Sequence, residues 1–208
     1  MYDANTSLED FLQAAASKQP TPGGGSITAL VGALAAAMGE MVLNYSIGKV
    51  DLAAYEDELR PALAELTQAR RVLLELMVED QSAYEVVGQV RKLPPGSPER
   101  LAQEPVALMA AIRVPQAIAA TTVAVLELAD RVVNFVNFQL LSDLAVCSDL
   151  AMAATRCAIY NVRVNVSDGM SAADRRSVES SISRLLSQAA MLIQQLSPRI
   201  WARHAQGV

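Results

Sequence analysis

The chain has little from which to build a metal or redox centre: its 208 residues include two cysteines and one histidine. With no Cys-x-x-Cys spacing and His204 alone in a polar tail, a zinc site would need carboxylate ligands, so no structural metal is expected. A single histidine so placed also supports no Ser/His/Asp or Cys/His relay. Cys147 and Cys157 fall in what reads as one helix, roughly 15 Å apart along its axis and out of disulfide reach. Free thiols suit a reducing, cytoplasmic setting. Basic residues are in the minority, 17 against 22 acidic ones for a formal charge of -5, so the broad positive footprint of a nucleic-acid binder is missing. Long apolar runs are missing too. The nearest, Ala29 to Gly39, falls short of a bilayer span, and Met1-Tyr2-Asp3 lacks the positive start of a signal peptide, so no membrane partner is expected.

What is present is a hydrophobic fraction of 52%, rich in alanine and poor in aromatics, enough for a packed core in one domain over residues 1–208. The breakers cluster at Gln19 to Gly25 and Leu93 to Pro98, with a third stop around Ser167-Asp168-Gly169. Ser7-Leu8-Glu9-Asp10 and Ser171-Ala172-Ala173-Asp174 read as capping boxes that open the first and last helices. Val178, Ile182, Leu185, Ala189, Leu192, Leu196 and Ile200 step by three or four, one buried helical face. Asp51 to Lys92 reads as a very long helix that Pro61 should kink or break, and Pro105 and Pro115 punctuate the next one in the same way. Tyr160 to Val166 alternates like a strand, but a lone strand would have no partner, so helix is retained there. The expectation is an all-α, up-and-down bundle of six or seven long, partly kinked helices.

Three features stand out chemically. Pro20 to Ser26 (PTPGGGS) precedes an apolar helix read as Ile27 to Ile47, and bare N–H groups at such a turn and helix start form a cradle for a carboxylate or phosphate. A plain flexible turn is the alternative. The small residues of the following helix, Gly32 to Gly39, invite close helix packing, within the chain or across a dimer. Second, the stripe Leu59, Leu63, Leu66, Ala69, Leu73, Met77 runs on through Asp80 to Tyr84 and Val87, which assigns a carboxylate to the core side. Burial raises a carboxyl pKa toward the range a general acid needs, unless the stripe drifts outward and leaves Asp80 in water. Third, Asp143, Asn161 and Asn165 share one face of a helix that Ser142 would cap. Asp143 and Asn161 would stand roughly 27 Å apart on it, so either the helix bends or its two ends serve different sites, as a symmetric dimer allows. Cap and dipole roles would account for each of these residues singly, as they would for Lys49 after Gly48.

Taken in order, Pro-Thr-Pro-Gly-Gly-Gly-Ser, Gly48-Lys49, Asp80-x-x-Ala83-Tyr84, Lys92-Leu93-Pro94, Val114-Pro115, Ser142-Asp143 and Asn161-Val162-x-x-Asn165 resemble the cyclodeaminase domain of formiminotransferase-cyclodeaminase and the stand-alone methenyltetrahydrofolate cyclohydrolases. The likeness covers nearly the whole chain. It implies an all-helical homodimer with a folate site near the dimer interface, a tetrahydrofolate derivative as substrate and no prosthetic group. It also implies roles: Asp80 and Lys49 catalytic; Gly23, Gly24, Gly25, Ser26, Asp143, Asn161 and Asn165 substrate-binding, the glycine turn receiving the glutamate tail. Cyclodeaminase is the leading activity, with cyclohydrolase the alternative. A non-catalytic folate-binding or helical interaction module is the reading of another class, which would not need Asp80 and Lys49 both turned inward.

Overall fold

Serine starts three of the helices. Ser7 accepts the Asp10 N–H and opens α1 (Leu8–Ala16), and Ser97 accepts the Arg100 N–H with Pro98 at the first position of α4 (Pro98–Val132). Ser171 accepts the Asp174 N–H ahead of α6 (Ala172–Gln206). The other three, α2 (Gly24–Asn44), α3 (Glu56–Lys92) and α5 (Leu141–Asn165), have no side-chain cap from their own N-cap residue. The structure, a computed structural model, describes residues 1–166 and 170–206. Ser167, Asp168 and Gly169, where the sequence places a stop, lie outside the described residues. Among the described residues there are six α-helices, two short 3-10 turns and no strand.

Several boundaries move. Helix α2 begins at Gly24 rather than Ile27 and ends at Asn44 rather than Ile47, so two of the three loop glycines belong to its first turn. Helix α3 starts at Glu56, not Asp51, behind a 3-10 turn at Val50–Tyr55. Gly48 causes this: at φ +83 it reverses the chain, and its N–H is held by Glu56 Oε1 at 3.0 Å. Pro61 does not break α3; it lies one turn in, where its missing donor deprives only the Asp57 carbonyl. Helix α5 starts one residue before Ser142, behind a 3-10 turn, Phe138–Leu140, that Asn137 caps. The strand-like Tyr160 to Val166 is helical through Asn165.

Helices α2, α3, α4 and α5 form an up-down-up-down bundle in which α2 and α4 each pack on both α3 and α5, and α6 closes the α4–α5 edge. The small residues of α2 therefore pack within the chain. Gly25, Gly32 and Gly39, seven apart, face Asp80, Leu73 and Leu66, also seven apart and running the opposite way. A Cβ at Gly39 would lie 2.9 Å from Leu66 and one at Gly32 3.0 Å from Leu73, so these glycines are the holes into which α3 sets its knobs. Burying each leucine knob contributes about 1.5–3 kcal/mol. A buried Thr122–Thr155 hydrogen bond of 2.8 Å separates two apolar layers, one around Leu43, Leu59 and Leu126, the other around Leu73, Ile112 and Ile159. Helices α2 and α4 are long and apolar enough to cross a bilayer by composition alone; both are central members of this bundle.

Candidate functional site

At the third step of the glycine seam a carboxylate stands where the repeat would set a leucine. The whole Asp80 carboxyl group occupies the space beside Gly25: a Cβ there would lie 1.9 Å from Oδ1, 2.4 Å from Cγ and 2.7 Å from Oδ2. Gly25 is what lets the acid enter. In the first turn of α2 the leading N–H groups have no helical partner, and Gly23, the N-cap, has no side chain to offer. Asp80 reaches across from α3 and fills that role. Its Oδ2 accepts the Ser26 hydroxyl at 2.9 Å, and the Ser26 backbone N–H bonds it as well. Burial pushes the Asp80 carboxyl above its ordinary value, and it outweighs the two Ser26 hydrogen bonds, which favour the charged form. A carboxyl held this way can give and take a proton closer to neutrality than a solvated one.

Around Asp80 lies a cleft of about 220 Å³ lined by Gly23, Gly24, Gly25, Tyr84, Asn161 and Asn165, among others. The two asparagines come from α5, which runs antiparallel to α2: Gly24 sits by Asn161 and Gly39 by Cys147. Asn161 Nδ2 bonds the Cys157 carbonyl at 3.0 Å, which leaves its Oδ1 on the Gly24 side. Asn165 Nδ2 bonds the Ala111 and Asn161 carbonyls at 2.9 and 3.0 Å, tying the end of α5 to α4. Gln81, next to Asp80 and fully buried, clasps the Tyr2 backbone through both its N–H and its carbonyl, at 2.8 and 2.7 Å, and so fixes this turn of α3 against the N-terminal segment.

The sequence-derived set thus divides. Asp80, Gly23, Gly24, Gly25, Ser26, Asn161 and Asn165 come together. Lys49 and Asp143 do not join them: both lie at the other end of the bundle, beyond the last turn of α2 and in the first turn of α5, roughly 27–30 Å away along those helices. The expected pairing of Lys49 with Asp80 is therefore not made within one chain. Sequence reading also missed Arg91, which lines the cleft with Asp80 and is its only cationic residue among those described. Its signal was the continued step 80, 84, 87, 91 along one face of α3.

The formiminotransferase-cyclodeaminase family profile matches residues 7–184. The methenyltetrahydrofolate cyclohydrolase of Methylorubrum extorquens is 36% identical over 165 residues, 77% of this chain and 79% of that protein. The formimidoyltransferase-cyclodeaminase of Mus musculus is 28% identical over 203 residues, 94% of this chain but 38% of the mouse protein, so the chain spans little more than a third of that relative. The crystal structure of formiminotetrahydrofolate cyclodeaminase from Thermotoga maritima superposes with a TM-score of 0.80 at 26% identity, covering 97% of both chains. The profile match takes in the glycine turn, the inward acid and both asparagines alike, and the chain belongs to the formiminotransferase-cyclodeaminase family.

Proposed function

We propose that this chain is an enzyme of one-carbon metabolism acting on the carbon that bridges N5 and N10 of tetrahydrofolate, with Asp80 as its proton carrier. The observation that carries this is one carboxyl group, half-buried, raised in pKa and facing a cleft lined by two amides. In cyclodeamination N10 of 5-formiminotetrahydrofolate attacks the formimino carbon, N10 gives up a proton, and the departing nitrogen takes one as ammonia leaves 5,10-methenyltetrahydrofolate. Asp80 moves that proton from one nitrogen to the other. In the hydrolytic alternative water adds to the methenyl carbon as Asp80 takes one of its protons; Asp80 then gives that proton to N5 as the N5–carbon bond breaks, the remaining hydroxyl proton passes to solvent as the formyl C=O forms, and 10-formyltetrahydrofolate is released. The solved relative supports the first reading; the 36% identity and similar length of the M. extorquens cyclohydrolase favour the second. Asn161 and Asn165 offer amides to the pterin edge in either case.

A homodimer belongs to the same proposal. At about 220 Å³ the cleft is smaller than a typical small-molecule site of roughly 300–1,000 Å³, so a folate would protrude from it. At the opposite end Lys49 and Asp143 stand near exposed Tyr45, Val50, Phe138 and Val146. A two-fold pairing that sets this end over the cleft of a second copy would cover that apolar surface and bring Lys49 to Asp80 between subunits. The direct experiment offers 5-formiminotetrahydrofolate and 5,10-methenyltetrahydrofolate separately and follows the near-ultraviolet absorbance of the methenyl group. Growth from the first marks a cyclodeaminase, accelerated decay of the second a cyclohydrolase; no change with either, in a protein that binds folate, refutes catalysis and leaves a binding module.

A further inference from the structure

We propose that Arg91 is a specificity-determining residue that holds the carboxylates of the substrate's glutamate tail, an assignment that rests on the folate reading above. The cleft has a direction. Along one face of α3 it runs from Asp80 through Tyr84 and Val87 to Arg91, the order acid, apolar, apolar, cation. Three turns of helix separate its ends, about 16 Å between the first and last Cα atoms. A tetrahydrofolate has the same order: a pterin and one-carbon centre that exchange protons, a flat aminobenzoyl ring, then carboxylates. With the one-carbon centre at Asp80, the ring lies along Tyr84, Val87 and, from α5, Val164, which is 78% exposed and gains by being covered. The tail then arrives at the exposed end of α3, where the Arg91 guanidinium stands within reach.

The charges nearby favour the same placement. The start of α2, where the sequence suggested the tail would rest, already holds the Asp80 carboxyl through the Ser26 hydroxyl and N–H, and a second carboxylate there would meet a like charge. Arg91 is the cation of the cleft. Its acidic neighbour, Glu104, is engaged by Arg100 at 3.1 Å, and Arg100 also donates to the carbonyls of Arg91 and Leu93, which pins the end of α3 without occupying the Arg91 guanidinium. A planar fork suits a carboxylate better than a point charge does.

The test compares each folate with its pteroate counterpart, which lacks the glutamate, in wild type, Arg91→Ala and Arg91→Lys. The readouts are the ratio of kcat/KM values and, separately, the ratio of dissociation constants for 5-formyltetrahydrofolate and 5-formyltetrahydropteroate. Wild type should prefer the glutamate-bearing ligand by about tenfold or more, the size of a charge-assisted hydrogen bond. Arg91→Ala should lose most of that preference, and Arg91→Lys should keep part of it. A preference unchanged in Arg91→Ala, or absent from wild type, overturns the assignment. Should wild type turn over neither folate and still bind them with a preference that Arg91→Ala abolishes, the assignment stands while the enzymatic reading falls.

Discussion

Replacing Gly25 with alanine adds one methyl group at the point where structure and chemistry are most tightly joined. The new carbon would stand 1.9 Å from Asp80 Oδ1, and ordinary contact begins at 3.4 Å, so the carboxylate has to retreat by about 1.5 Å or the two helices must part. Displacing a reacting group by about 1 Å costs on the order of 100-fold in rate. Gly25→Ala should therefore reduce kcat by about 100-fold or more. Its effect on stability should be small, because alanine improves helix propensity by up to about 1 kcal/mol and the carboxyl group can swing toward the open cleft. Gly32→Ala is the control. There the added carbon meets Thr122 Cγ2 at 2.8 Å and Leu73 at 3.0 Å in a closed interior, so overpacking should cost about 1–3 kcal/mol of stability while the geometry at Asp80 changes less. The assay pairs steady-state turnover with urea unfolding for both variants. A Gly25→Ala protein with wild-type kcat would refute the reasoning, because the acid could then leave its seat without consequence for the reaction.

Asp80→Asn should preserve the fold and lower kcat by about 10²–10⁴-fold, as measured by single-turnover absorbance. The same variant isolates a pH effect on stability. Because the native pKa of Asp80 is raised above its ordinary 3.8, the folded state keeps a proton that the unfolded chain has already lost, so this residue's contribution to stability falls as pH rises from that value through the native pKa and is flat above it. Carboxylates held low by ion pairs, such as Glu179 beside Arg163, tilt the whole curve the other way, so the quantity to read is wild type minus Asp80→Asn in urea midpoints across pH. For the two-subunit site, mixing inactive Asp80→Asn with inactive Lys49→Ala should restore about a quarter of wild-type activity, since random pairing makes half the dimers mixed, each with one intact site. Absence of recovery in a mixture shown to exchange subunits would exclude that arrangement.

The position of Asp80 was legible in the sequence because a stripe of leucines at helical spacing ran straight through it, and periodicity alone reports which face a residue occupies. The bundle was legible for the same reason. Boundaries at glycine were not: Gly24 and Gly25 read as loop because glycine disfavours helices, whereas here the absence of a side chain is what the Asp80 carboxyl requires and tertiary packing overrides propensity. The placement of Lys49 was beyond reach in principle, since the end of a helix says nothing about what faces it in space. Arg91 was within reach. Extending the stripe one more turn finds it, but an exposed arginine near a helix C-terminus has an adequate explanation in the helix dipole and draws no notice.

The sevenfold repeat shared by α2 and α3 leaves the pair free, as far as its leucines are concerned, to slide by one whole repeat. Sliding one way would lodge Asp80 against Gly32, among apolar side chains and far from the unsatisfied N–H groups that receive it; sliding the other way would carry it past the beginning of α2 altogether. The first misalignment strands a charge at a penalty of several kcal/mol, and the second leaves the helix start uncapped. The acid that moves protons also keys the two helices to a single alignment, so Asp80→Ala, which removes the acceptor for Ser26 that Asp80→Asn keeps, should leave a chain that folds with less certainty about where α3 stops.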